Sequence, residues 1–138
     1  MTDMDDFNRK VIEEFRANEG RVGGPFEGAP VLLLTSTGAR SGEQRTTPVM
    51  YLPDGDRYVI FASKAGAPTN PAWFHNLVAN PSATIEVGPE TVEVRAVVTE
   101  GEERARLYDT QAALAPQFAE YQAKTTREIP VVALERSG

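Results

Sequence analysis

The chain contains no cysteine, which excludes disulfides, thiol nucleophiles, iron–sulfur clusters and cysteine-ligated zinc. It has one histidine, His75, too few for a histidine-built metal site or a paired-histidine acid–base device; no metal is expected. Basic side chains are in deficit. Fourteen Lys and Arg against 20 Asp and Glu give a net charge of −6, the wrong sign for a nucleic-acid binder. No apolar run approaches the roughly 20 residues that a membrane-spanning helix needs. The opening MTDMDDFNRK is acidic and lacks the apolar stretch of a secretion signal, so a cytoplasmic location is expected. Asp3, Asp5, Asp6, Glu13 and Glu14 would oppose an anionic membrane surface, so no stable membrane attachment is expected. A chain this poor in reactive side chains does chemistry most readily through a bound cofactor.

What is present reads as one domain over residues 1–138, with 41% hydrophobic and 25% charged residues, ordinary for a globular fold. Phe7, Val11, Ile12 and Phe15 recur at helical spacing and predict an N-terminal helix within 1–18. Gly20, Gly23, Gly24 and Pro25 make 19–30 a turn-rich connector. From residue 31 the pattern changes to strands. Segments 31–37, 45–52 and 57–63 read as strands, the first continuously apolar and so buried on both faces. Pro48 marks an edge, bulge or ladder break in the second, and Pro53-Asp54-Gly55-Asp56 is a hairpin turn joining the second and third.

A short helix over 71–79 follows, with Asn70 as a favoured N-cap, Pro71 as first helical residue and Asn80 suited to a left-handed cap. Residues 83–87 and 91–99 alternate around Gly88-Pro89 as a second hairpin. Thr99 and Glu102 have the spacing of a capping box for a helix to about Leu114. Pro116 restarts it over 117–126, and 130–134 reads as a last strand. Hairpins dominate and βαβ alternation is absent. This predicts the α+β class, an antiparallel barrel with helices packed outside it.

Two stretches carry chemical potential. Thr37 to Arg45 places two arginines and a hydroxyl in a turn bounded by Gly38 and Gly42. Backbone N–H groups and guanidinium donors in such a turn form an anion site; a plain solvated hairpin turn has the same spacing. Ser63 to Trp73 runs from a strand end through small residues into a helix start. Small residues let a flat ligand approach the backbone, while Trp73 serves equally as a core anchor. His75 on that helix reads first as a surface or structural residue. Glu100, Glu102 and Glu103 suit the positive end of a helix dipole and are given no catalytic role. Phe118 and Tyr121, three apart, share a helix face that is either core or pocket wall.

Three segments, GRVGGPFEGAPVLLLTSTGARSGEQRTTPVMYL, DGDRYVIFASKAGAPTNPAWFHNLVANP and YQAKTTREIPVVALE, in this order and spacing, resemble the deazaflavin (coenzyme F420)-dependent nitroreductase family. The likeness runs from about Asn18 to Glu135. It implies a split β-barrel of the flavin-reductase and pyridoxamine-phosphate-oxidase type, binding reduced F420 as a hydride donor. Position by position, Arg40, Ser41 and Arg45 match the loop that holds the cofactor's phosphate and acidic tail. Thr46, Thr47, Pro48, Val49 and Met50 match the strand beside the ring system. Phe61, Ala62, Ser63 and Lys64 match the strand end and turn that meet the deazaflavin. Ala72, Trp73, Phe74, His75 and Asn76 match the helix start that completes the pocket, and Phe118 falls where the family can place a cofactor-contacting tyrosine. Tyr121 matches a pocket tyrosine and is the implied catalytic residue, donating a hydrogen bond to the acceptor.

Two departures shape the expectation. Ala39 stands in the cofactor loop where the family often has a basic residue. Ala115 and Phe118 replace two tyrosines of the prodrug-activating member, leaving Tyr121. F420 use is therefore better supported than nitroimidazole activation. The implied partner is a small electron acceptor, quinone-like or nitroaromatic, and the chain is expected to be a monomer or homodimer. An FMN-dependent reductase on the same fold and a non-catalytic F420-binding protein are the rival readings.

Overall fold

The computed structural model describes residues 2–22, 30–67 and 69–137. Most of the connector expected over 19–30 and the Phe7 side chain lie outside the described residues, as do Met1, Pro68 and Gly138. In chain order the elements are α1 (Thr2–Ala17), β1 (Val31–Thr37), β2 (Gln44–Asp54), β3 (Arg57–Phe61), α2 (Ala72–Ala79), β4 (Ser82–Val87), β5 (Glu90–Val98), α3 (Gly101–Leu114), α4 (Gln117–Lys124) and β6 (Val131–Arg136). The strands close into a barrel in the order β1-β2-β3-β6-β5-β4, and every neighbouring pair is antiparallel. The expected α+β barrel with peripheral helices is the fold.

Strand periodicity explains the layers. Successive side chains point to opposite faces, so β1 sends Leu32 and Leu34 into one core and Val31 and Leu33 into another. The first core, with Ile60, Ile85, Val94, Val132 and Leu134, draws on five strands and is the barrel interior. Trp73 and Leu77 of α2 join it. On the outside of β1, Val31 and Leu33 meet Val11 and Phe15 of α1. On the outside of β3 and β6, Val59, Phe61, Val131 and Ala133 meet Leu107, Tyr108 and Phe118 of α3 and α4. β1 is thus buried on both faces, as its unbroken apolar run predicts. Arg16 adds a bidentate pair to Glu86 of β4, at 3.0 and 2.8 Å. With Arg16 half exposed this contributes little beside the packing.

Pro48 pairs with Leu33 in the β1–β2 ladder, whereas β2 meets β3 only from Tyr51 onward. The missing N–H therefore falls where β2 has an edge. Two of the predicted N-caps fail for one shared reason: tertiary partners take the side chains. Asn70 does not cap α2, whose N-cap is Pro71 without a side-chain bond; its Oδ1 accepts from Arg127 instead. Thr99 and Glu102 form no capping box, because the N-cap of α3 is Glu100 and the Thr99 hydroxyl donates to the Val131 carbonyl at 2.8 Å. Asn80 ends α2 in an extended conformation, φ −136°, not a left-handed one. Among the described residues no helix is long and apolar enough to cross a membrane.

Candidate functional site

One cavity of about 950 Å³ opens between the β1–β2 turn, α2 and α1. Ligand sites run to roughly 300–1,000 Å³, so this one is large enough for an extended cofactor. The turn supplies Gly38, Ala39, Arg40 and Ser41, and β2 supplies Arg45, Thr46 and Thr47. From α2 come Ala72, Trp73, His75 and Asn76. Ser36 at the end of β1 and Asn8, Arg9 and Ile12 of α1 complete the lining.

The turn holds its own shape. Gly42 N–H donates to the Gly38 carbonyl at 3.0 Å, and Gly38 N–H donates to the Glu43 carbonyl at 2.7 Å. The Ser41 hydroxyl accepts the Glu43 N–H at 3.1 Å. A Cβ on Gly38 would stand 2.6 Å from the Ser41 oxygen, so a side chain there would displace that hydroxyl from its bond to the Glu43 N–H. From α2, Asn76 Oδ1 accepts the Ala39 N–H at 2.9 Å. Across the β1–β2 ladder, the hydroxyl of the lining residue Thr46 shares a hydrogen bond of 2.8 Å with that of Thr35. Trp73 is both things the sequence allowed, 8% exposed in the barrel core and part of the cavity wall.

Charge distinguishes this cavity from the rest of the surface. Arg9, Arg40 and Arg45 line it, and no carboxylate is among the described residues that do, in a chain of net charge −6. Arg45 has only a loose partner, Glu43 at 3.7 Å, with side-chain exposures of 66% and 72%, a pair worth little in water. Clustered guanidinium donors inside a concave wall focus positive potential on whatever enters. Such a wall can hold an anion. Among the described residues no group of three or more His, Asp or Glu is placed to hold a metal ion.

The remaining predicted residues lie elsewhere. Val49 and Met50 pack against the cores further along β2, where Pro48 is buried, and Phe74 meets the barrel core. Ala62 is fully buried, and Phe61 and Phe118 are 7% and 4% exposed, their rings edge to face at 5.6 Å. A 3₁₀ turn over Lys64–Gly66 forms a second grouping with α4. A Cβ on Gly66 would lie 2.9 Å from the Tyr121 carbonyl, so turn and helix touch backbone to backbone. The Tyr121 ring lies 5.2 Å from that of Phe118. Lys64 Nζ donates to the Thr69 hydroxyl at 3.3 Å. The predicted residues thus divide between a cationic cavity, a turn-and-α4 group with Phe61 and Phe118 packed behind it, and core positions that include Ala62, Val49 and Phe74. Sequence patterning missed Asn8, Arg9 and Ile12, because no local signal says that α1 docks beside the turn, and it missed Ser36 at the end of β1.

A model of the F420H(2)-dependent quinone reductase family matches residues 7–136. The chain belongs to this family. An F420H(2)-dependent quinone reductase of Mycobacterium tuberculosis is 44% identical over 126 residues, covering 88% of this chain and 85% of that one. The solved structure of an F420-H2 dependent reductase superposes with a TM-score of 0.71 at 39% identity, over 77% of this chain and 94% of the other. At 12% identity, a putative pyridoxamine 5'-phosphate oxidase from Listeria innocua shares the fold with a TM-score of 0.58, over 99% and 95% of the two chains. The F420H(2)-dependent quinone reductase family accounts for a cysteine-free chain, since hydride transfer from a bound cofactor needs no protein nucleophile.

Proposed function

We propose that this chain reduces a quinone-like or nitroaromatic acceptor with F420H2, acting in the cytoplasm as a monomer or homodimer. The observation that carries the reading is the cavity with Arg9, Arg40 and Arg45 on its wall and no carboxylate among its described lining residues. Arg40 and Arg45 hold the phosphate and acidic tail of the cofactor, as guanidinium forks hold anions. Thr46, Thr47 and the α2 residues Ala72, Trp73, His75 and Asn76 form the wall beside the ring system, and the Ser63–Lys64 turn meets it from the α4 side. The bound reduced cofactor supplies the hydride.

The protein's task is then to align donor and acceptor and to meet the charge that forms on the acceptor oxygen. Tyr121 on α4 fits that task by donating a hydrogen bond from its phenol. The test is titration with F420 and, separately, with FMN, followed by oxidation of F420H2 in the presence of quinones. Tight F420 binding with quinone-dependent turnover supports the reading. Preference for FMN would move the chain to the flavin rival, and F420 binding without turnover would make it a carrier.

A further inference from the structure

A single guanidinium outside the cavity makes three hydrogen bonds to one loop. Arg127, in the segment after α4, donates from Nη2 to the Ser63 carbonyl at 3.0 Å, from Nε to the Ala67 carbonyl at 3.0 Å and from Nη1 to Asn70 Oδ1 at 2.7 Å. Among the described residues it has no ion-pair partner. Burial lowers its guanidinium from the ordinary value, and the Tyr108 phenol partly opposes this. The loop is therefore what the donors are for.

Its acceptors bracket a strained turn. Lys64, with φ +46°, lies in the left-handed region, which a residue with a Cβ keeps only where its surroundings over-determine it. Beyond the turn the loop runs into α2, whose second residue is Trp73. On its own side Arg127 is held just as firmly. Its carbonyl accepts from Gln122 Nε2 at 2.7 Å, and Gln122 Oε1 accepts from the Ile129 N–H at 3.0 Å and from Arg104 Nη2 at 2.8 Å. Arg104 also donates to the Ile129 carbonyl from Nε and Nη2. α3 and α4 thus form a rigid mount for this one side chain.

We propose that Arg127 is a positioning residue that holds Ser63, Ala67 and Asn70, and through them the Lys64 turn and the Trp73 end of α2, against α4. The ligand whose binding this serves is the one assigned under Proposed function; the coupling is a property of the free protein. Shape, not charge, is what the site uses. A planar guanidinium directs several donors along fixed lines, whereas a lysine ammonium has one nitrogen that cannot reach acceptors on residues 63, 67 and 70 together.

Trp73 is the sole tryptophan, so its fluorescence reports on the far end of the loop with no ligand present. In ligand-free protein, Arg127→Lys and Arg127→Met should each shift Trp73 emission and raise its acrylamide quenching about twofold, with cooperative melting retained. Both should weaken F420 binding about tenfold, and lysine should not rescue. Asn70→Ala, which removes one bond from the loop side, should move Trp73 the same way by less. Where the Arg127 variants do not fold, Asn70→Ala decides. Unchanged Trp73 quenching in the folded variants, with only the melting temperature lowered, would overturn the proposal. Full rescue of F420 affinity by lysine would overturn it too. Failure of the wild-type protein to bind F420 would instead overturn the functional reading, and the Trp73 comparison would still judge Arg127.

Discussion

Asn76 on α2 and Ala39 in the β1–β2 turn are joined by one hydrogen bond, the Ala39 N–H to Asn76 Oδ1 at 2.9 Å. It ties together the two elements that face each other across the cavity. The next residue along the turn is Arg40, so the position of a helix sets the aim of an arginine 36 residues earlier in the chain. Asn76→Ala should release that N–H and raise the F420 dissociation constant roughly five- to tenfold, the loss of a hydrogen bond worth about 1 kcal/mol. Far-UV circular dichroism should not change. Fluorescence titration of F420 measures the shift, and an unaltered constant would show that the turn holds its shape alone.

Arg45→Ala should weaken F420 binding by about 1.5–3 kcal/mol, the range for a hydrogen bond to a charged group. Arg9→Ala should act in the same direction, since α1 brings that side chain to the same wall. Titrations repeated at rising salt should weaken the wild type more than either variant, because exposed charges are screened. Equal salt dependence in wild type and variants would place the anion contact elsewhere.

The fold itself carries a pH signature at Asp54. Hydrogen bonds from Arg57 and then Arg106 hold its carboxyl below the ordinary carboxylate value. A carboxyl depressed on folding adds stability that is complete above its unfolded value, about 3.9, and is lost as pH falls through the lower folded value. Asp54→Asn should therefore lower the melting temperature at pH 7. The gap to wild type should shrink as the pH is taken down from about 4. A constant gap across that range would mean the ion pairs contribute nothing.

Tyr121→Phe should leave the fold and F420 affinity intact and lower turnover with quinones by up to about 10²-fold, the scale of one positioned proton donor. The ring's packing on Phe118 is preserved by phenylalanine, so a stability change would be unexpected. Equal turnover in the variant would make Tyr121 a wall and leave solvent to protonate the product.

Much of this architecture was legible in local sequence. Pro53 to Asp56 and Gly88-Pro89 set two hairpins that the registers bear out, and the double burial of β1 followed from its unbroken apolar run. Gly38 to Gly42 marked the turn that walls the cavity. What escaped was long-range. Closure of the barrel by β1 on β4 and β3 on β6 has no local signature. Asn70 and Thr99 looked like helix caps, yet Arg127 and the Val131 carbonyl took them, because a tertiary hydrogen bond competes directly with a local cap. Arg9 escaped for the same kind of reason: its place on the cavity wall depends on Val11 and Phe15 docking α1 against Leu33.

Oxidation of F420H2 by a quinone, followed by the return of F420 absorbance, tests the central claim most directly. With catalytic amounts of the protein, the rate should saturate in F420H2, require the quinone, and fall in Arg45→Ala. Reduced FMN in place of F420H2 should give little turnover. Saturable F420 binding with no quinone-dependent oxidation, or turnover with reduced FMN alone, would contradict the account.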